Sequence, residues 1–289
     1  MNNLTEISAK VIKLTPIKTR SGFDALITFE LIMPRIILAE FNTHRAFSRN
    51  SASSRAIPAK KMIESVATDP FIPVAWMKPH KGMQGFEYHE DSDTIAKLRS
   101  KWLNAKENAI KAAIDLTEQQ VSKQIVNRLL EPFMWHKVIM TTSMKGFEHF
   151  FQLRANLMAE IHMQILAEVM MDAYEIAYAK HPYDPYKTVA TAVSGQWHIP
   201  YSEGLSDLSL NEKLLVSIAR CARVSYTTVG DDSTKSIDED IKLAKRLFES
   251  KHMSPFEHIA QIKVGWNSRN FTNCIQLREM IETNEIVLF

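Results

Sequence analysis

His44-Arg45-Ala46-Phe47-Ser48-Arg49-Asn50-Ser51-Ala52-Ser53-Ser54-Arg55 places three arginines, one imidazole and four serine hydroxyls in twelve residues, with no carboxylate among them. Arginine's planar fork and a row of hydroxyls are the donors that a phosphate ester takes up, so the stretch reads as a phosphate-holding segment. Near the other end of the chain, His252-Met253-Ser254-Pro255-Phe256-Glu257-His258 adds two imidazoles and an acid. Taken singly, Arg45 and Arg55 would read as solvated surface charges, because lone arginines are mostly exposed.

Upstream of the first stretch, Pro34 fits the first turn of a helix through Ile36, Ile37, Leu38 and Phe41, which would put Glu40 and His44 on one face. Thr43 to Arg55 would then leave the helix end as a serine-rich loop whose free N–H groups hold phosphate. Ile7–Leu14 and Asp24–Ile32 are rich in β-formers, with Ser21-Gly22 before the second run, and read as paired strands.

Downstream, Phe71–Glu90 carries Pro73, Pro79, Gly82 and Gly85 and reads as a long surface loop, a candidate lid. Thr94–Glu118 and Val121–Leu130 read as helices, with Pro132 as a break. Phe147–Ala155 and Leu157–Ala179 read as a packed helical pair that ends at Pro182–Pro185. Gln196–Ser206 is a polar connection, with a boundary near Gly204. Beyond it come a helix at Asn211–Ala222, a loop at Thr227–Ser236 containing Gly230-Asp231-Asp232, and a charged helix at Ile237–Glu249. A strand at Gln261–Trp266, a helix at Phe271–Glu282 and a short strand at Glu285–Phe289 complete an α+β pattern.

The chain has 289 residues, 45% hydrophobic and 24% charged, which suits an ordinary globular protein. No run approaches the ~20 apolar residues that cross a bilayer, and Met1–Arg20 has no signal-peptide core, so a cytoplasmic protein without a membrane partner is expected. Cys221 and Cys274 support neither a disulfide framework nor a thiolate metal site. His252 and His258 have no His-Glu-x-x-His partner, so no metal is expected. A net charge of +2 argues against a surface that coats nucleic acid and favours a small anionic ligand. The methionines of Met134–Met171, at helical spacing, read as core.

Together the two stretches resemble the signatures of the flavin-dependent thymidylate synthases. The Arg-His-Arg, seven residues, Ser motif of that family is matched by Thr43-His44-Arg45 and Ser53, and its His-x-Ser/Thr-Pro-Phe-Glu-His segment by His252–His258. In the family this segment precedes the arginine motif; here it follows it. Ala219–Tyr226, the charged helix and His252–His258 look like the family's amino-terminal part moved to the carboxyl end. Phe150-Phe151-Gln152-Leu153-Arg154-Ala155, within Gln124–Gln164, looks like its helical half. The resemblance therefore implies a circularly permuted chain. Residues 1–204 would be a nucleotide- and flavin-binding core with a helical half, and 205–289 the segment that completes the same catalytic domain. It also implies a twisted sheet packed on long helices and a homotetramer with active sites between subunits.

The resemblance assigns His44, Arg45, Asn50, His252 and Ser254 to FAD. It assigns Glu40, Ser51, Ser53, Arg55, Lys145 and Asp172 to a pyrimidine nucleotide, with Ser53, Arg55 and Asp172 as the candidate catalytic set. Arg55 and Lys145 fall at the nucleotide phosphate. Glu257 and His258 read as structural ties. Thr43 replaces the motif's first arginine, Glu40 falls where glutamine is common, and Asp172 falls where an arginine contacts the pyrimidine. The implied reaction is C5 methylation of dUMP to dTMP with methylenetetrahydrofolate and NADPH as co-substrates. Because a carboxylate accepts where arginine donates, and cytosine carries an exocyclic amine, methylation or hydroxymethylation of dUMP or dCMP is a rival. A noncatalytic nucleotide- or flavin-binding protein is a second.

Overall fold

The computed structural model describes residues 5–19, 22–82, 85–180, 194–230 and 235–289. In chain order its elements are β1 (Ser8–Thr19), β2 (Gly22–Pro34), a 3-10 turn at Arg35–Ile37, α1 (Leu38–Phe41), β3 (Ser48–Ser51), α2 (Ala59–Thr68) and α3 (Ser92–Glu118). There follow α4 (Lys123–Val126), β4 (Trp135–Ser143), α5 (Met144–Arg154), α6 (Ile161–Lys180), β5 (Trp197–His198), α7 (Leu210–Arg223) and α8 (Ile237–Glu249). A 3-10 turn at Ser254–His258 leads to β6 (Ala260–Ser268), β7 (Phe271–Gln276) and α9 (Leu277–Glu282).

Successive side chains of β2 point to opposite faces, and both faces are covered. Ala25, Ile27, Phe29, Leu31 and Met33 enter one apolar cluster with Val138 and Met140 of β4. Phe147 and Phe150 of α5 close that face, with Met163, Leu166, Ala167 and Met170 of α6 at helical spacing. The opposite face carries Leu26 and Thr28 of β2 and Ile139 and Thr141 of β4, and the carboxyl-terminal part packs on it. The main sheet runs β1-β2-β4-β3, antiparallel at every pairing, and a smaller sheet runs β5-β6-β7. Ile17 and Leu26 of the main sheet share a buried cluster with Ala260, Ile262, Phe271 and Cys274 of the smaller one.

The carboxyl-terminal helices are strongly specified locally. Ser209 with Glu212, and Ser236 with Glu239, form reciprocal capping boxes at the starts of α7 and α8. Leu214, Leu215, Ile218, Ala219 and Ala222 of α7 then meet Leu243, Ala244 and Leu247 of α8.

Several elements differ from the sequence expectation. Pro34 ends β2 rather than opening a helix, and the helix after it is a 3-10 turn plus the single turn α1. Thr43–Arg55 is not all loop: Ser48–Ser51 pairs with β4, and its polar composition suits an edge strand. β4 itself was not anticipated, because it is buried on both faces and its Lys137, Thr141, Thr142 and Ser143 disguise it. Phe271–Glu282 divides into β7 and α9, and no strand forms at Glu285–Phe289. Val121–Leu130 reduces to α4 and a 3-10 turn. Pro182–Pro185 and Asp231-Asp232 lie outside the described residues.

Candidate functional site

β3 carries Asn50 and Ser51 to the mouth of a cavity of about 690 Å³. The chain then turns on itself: Ala56 and Ile57 donate their N–H groups to the carbonyl of Ser53 at 3.0 Å. Asn127 pins this turn by donating to the carbonyls of Ser54 (2.8 Å) and Ile57 (3.0 Å), and Ser53 N–H donates to the carbonyl of Ser225 beyond α7. Ser51, Ser53, Ser54 and Arg55 consequently face His252 and Ser254 across one cavity.

Arg35, Arg49 and Arg128 also line it, together with Gln124, Ser225 and Tyr226, and among the described residues no carboxylate does. Arg35 is paired outside it with Glu131 at 3.1 Å. Burial pulls the Arg49 guanidinium down from its ordinary value, opposed by the Glu257 carboxylate, and its Nη1 donates to the carbonyl of His44 at 2.6 Å. A hydroxyl-rimmed concavity with four guanidinium groups and no acid among its described residues offers the donors that an anion takes up.

The second stretch is held to the first by direct bonds. Asn50 Nδ2 donates to Ser254 Oγ at 3.0 Å, and Asn50 Oδ1 faces His258 Nε2 at 2.9 Å. Ser48 Oγ donates to Glu257 Oε2 at 3.2 Å, and Arg278 Nη1 to Glu257 Oε1 at 2.6 Å. Glu257 and His258 therefore tie the turn to β3 and β4.

His44 and Arg45 do not line this cavity. They line a separate one of about 340 Å³, with Thr43, Phe47, His149 and Leu153. Gly146 lets α5 approach there: a Cβ at that position would stand 2.4 Å from Thr142 Oγ1 and 3.1 Å from Ala46 Cβ. His44 accepts a hydrogen bond from Arg154 Nε at 2.9 Å and stacks on Phe47 at 5.7 Å between centroids. Burial, then the Arg154 charge, lowers its pKa to about 4, so near neutral pH it is a flat uncharged donor–acceptor rather than a cation. Glu40 pairs with the same Arg154, so the two share a partner, but α1 ends at Phe41 and they do not lie on one helix face as their spacing implied. Lys145 and Asp172 are exposed, on α5 and α6, and line neither cavity.

Arg35, Arg49, Arg128, Gln124, Ser225 and Tyr226 are cavity residues that the motif reading left unassigned. Arg49 lay inside the serine-rich stretch, Ser225 and Tyr226 inside Ala219–Tyr226, and Gln124 and Arg128 inside Gln124–Gln164, but no local pattern signals that they converge. The candidate lid at Phe71–Glu90 lies elsewhere: Phe71 packs on Trp102 and Trp135, and Val74 N–H donates to His162 Nε2 at 3.1 Å. Both cysteines are buried and free, and burial pushes both thiols up. Among the described residues no cluster of His, Cys, Asp or Glu has a metal-holding arrangement, and no helix is long and apolar enough to cross a membrane.

A family model described as thymidylate synthase complementing protein matches residues 24–182, more than half of the chain. No curated protein sequence matches. Among solved structures, a UMP/dUMP methylase PolB from Streptomyces cacaoi bound with 5-Br dUMP is similar at 14% identity, over 60% of this chain and 92% of that one, with a TM-score of 0.49. Thymidylate synthase X from Helicobacter pylori, with FAD and dUMP, is similar at 19% identity, over 52% and 67% of the two chains, with a TM-score of 0.36.

Proposed function

Because the chain belongs to the family of flavin-dependent thymidylate synthases, we propose that it methylates dUMP at C5 to give dTMP, with FAD as cofactor, methylenetetrahydrofolate as one-carbon donor and NADPH as reductant. The observation that carries this reading is the cavity, without carboxylates among its described residues, that Ser51, Ser53 and Arg55 share with His252 and Ser254. Its donor set fits phosphate esters, those of a flavin dinucleotide and those of a nucleotide alike.

In this reading Arg55 grips the nucleotide phosphate through two parallel N–H bonds, and the Ser51 and Ser53 hydroxyls fix its orientation. Asn50, Ser254 and His252 would hold FAD, and His44 would present a neutral ring beside Arg45. Bound flavin supplies the hydride that completes the methyl group. The protein's own residues bind, orient and exclude water. Neither cysteine lines either of these two cavities, which favours a route without a thiol nucleophile.

We read the order of segments as a circular permutation, with 205–289 completing the catalytic domain of 1–204. The support is that Asn50 bonds both Ser254 and His258. The homotetramer expected from the resemblance would let Lys145 and Asp172 reach a nucleotide, and His44 and Arg45 the FAD, held by residues of another subunit. Exposed Leu153, Leu157 and Met158 supply apolar surface for such contact.

The test is anaerobic turnover with FAD, NADPH and methylenetetrahydrofolate, offering dUMP and dCMP in parallel and identifying products by mass spectrometry. dTMP from dUMP is expected, with turnover falling about 100-fold in Arg55→Ala and in Arg45→Ala; unchanged activity in both variants overturns the assignment. A product from dCMP alone would make Asp172 the specificity residue. Binding of FAD and nucleotide without turnover would identify a noncatalytic binding protein.

A further inference from the structure

One polar side chain from each strand of the main sheet joins a single buried hydrogen-bond chain that ends at the cavity. It runs from Thr15 of β1 to His198 Nδ1 (2.8 Å), and from His198 Nε2 to Thr28 of β2 (2.8 Å). From Thr28 it passes to Thr141 of β4 (2.7 Å) and on to His258 Nδ1 (2.9 Å). It continues from His258 Nε2 to Asn50 Oδ1 of β3 (2.9 Å) and from Asn50 Nδ2 to Ser254 Oγ (3.0 Å). Thr28, Thr141, His198 and His258 have no solvent exposure at all.

The direction of every bond follows from one end. Asn50 donates to Ser254, so its carbonyl oxygen faces His258 and requires a hydrogen on Nε2. His258 Nδ1 is then bare and accepts from Thr141, whose oxygen accepts from Thr28. Thr28 in turn accepts from a hydrogen on His198 Nε2, and His198 Nδ1 accepts from Thr15. The opposite polarity, with the Asn50 amide turned over and both rings carrying hydrogen on Nδ1, is the other arrangement that satisfies every link. Of the two mixtures, one leaves no hydrogen between Thr28 and Thr141 and the other makes one threonine hydroxyl accept twice with its own hydrogen unpartnered in the chain, and a buried site penalises an unmade bond by about 1–3 kcal/mol. Burial holds His258 down to about 3 and His198 well below its ordinary value, so both rings are neutral near pH 7.

We infer that His198, His258, Thr15, Thr28 and Thr141 are positioning residues that hold the Asn50 amide with its N–H toward Ser254, leaving the Ser254 hydroxyl hydrogen to be donated to an acceptor oxygen of the ligand. Ser254 has already accepted from Asn50 and lines the cavity half-buried, so its own hydrogen has the cavity to point into. A phosphate or carbonyl oxygen is the matching ligand atom. His198 is remote from the cavity lining, yet it sets the polarity of an atom inside it. The last step rests on the cavity being the flavin and nucleotide site; the polarity of the chain does not.

The test uses the whole protein labelled with 15N-histidine. Long-range 1H–15N spectra at pH 7 should show His198 and His258 both as single Nε2–H tautomers. Nδ1–H tautomers, or averaging between the two forms, would overturn the inference. In Thr28→Val, His198 should lose its fixed tautomer and FAD should bind roughly 5- to 10-fold more weakly, the worth of one hydrogen bond; Thr28→Ser should restore both. Unchanged tautomers and affinity in Thr28→Val would count against the chain, and Thr15→Val, at its far end, makes the same comparison if Thr28→Val folds poorly. Wild type that shows the expected tautomers but does not bind FAD would refute the reading of the cavity alone. FAD binding with averaged tautomers would refute the chain alone.

Discussion

On one face of the main sheet, Ala25, Ile27, Phe29, Leu31 and Met33 meet the apolar stripes of α5 and α6. On the other, Thr28 and Thr141 meet His198 and His258, and Asn50 meets Ser254. The strands supply both faces through the same alternation, and both are buried. The apolar face gains free energy from area removed from water and tolerates repacking that conserves volume. The polar face gains little net energy per bond but demands that every donor meet its acceptor. It therefore fixes how the carboxyl-terminal part sits on the sheet, and that placement brings Ser254 to Asn50.

The largest effect should come from the apolar face. Phe29→Ala leaves a cavity against Phe147 and should cost about 3–5 kcal/mol in urea unfolding, with the FAD affinity of the folded fraction close to wild type. An equal loss of affinity would show that the faces are not separable.

Acid should attack the polar face next. His198 and His258 titrate below the ordinary histidine value when folded, so the unfolded chain takes up protons first as pH falls. Their contribution is complete above about pH 7 and is lost progressively below 6.5, toward about 3 for His258. At pH 4.5 the neutral His258 ring should already cost about 3 kcal/mol. Unfolding midpoints in His258→Gln should depend less on pH between 4.5 and 7 than in wild type; parallel curves would remove His258 as the cause.

Thr28→Val, nearly isosteric, should cost about 1–3 kcal/mol by stranding the His198 donor, with the tautomer change that no apolar-face variant produces. Smallest is Ser236→Ala, which removes the cap of α8 away from both faces. A loss of about 1 kcal/mol with unchanged FAD affinity sets the background against which the other three are judged.

Helices α3, α5, α6, α7 and α8 were legible because their apolar positions recur at helical spacing, and α8 was expected over the residues it occupies. β1 and β2 were legible from β-branched composition, though both run longer than read. β4 escaped because a strand buried on both faces loses the alternation that identifies a strand, and five of its nine residues are polar or charged for reasons that lie across the sheet. Phe271–Gln276 was read as helix because six apolar and polar residues carry too short a pattern to separate it from Leu277–Glu282.

Within the candidate site the outcome divides in the same way. Asn50, Ser51, Ser53, Arg55, His252 and Ser254 were named from two motifs and do line one cavity. Their spacing sets them at intervals along a strand and a turn, which is why they reach one cavity together. Arg35, Gln124 and Arg128 arrive from other segments, and the separation of His44 and Arg45 into a second cavity depends on how α5 packs at Gly146. The amino-acid sequence by itself determined the chemistry on offer, arginines and hydroxyls without acids, together with most of the helices. Which of those groups share a cavity, and which way the Asn50 amide points, was decided only when two distant segments docked on one sheet, because a hydrogen bond's direction depends on partners that are neighbours in space alone.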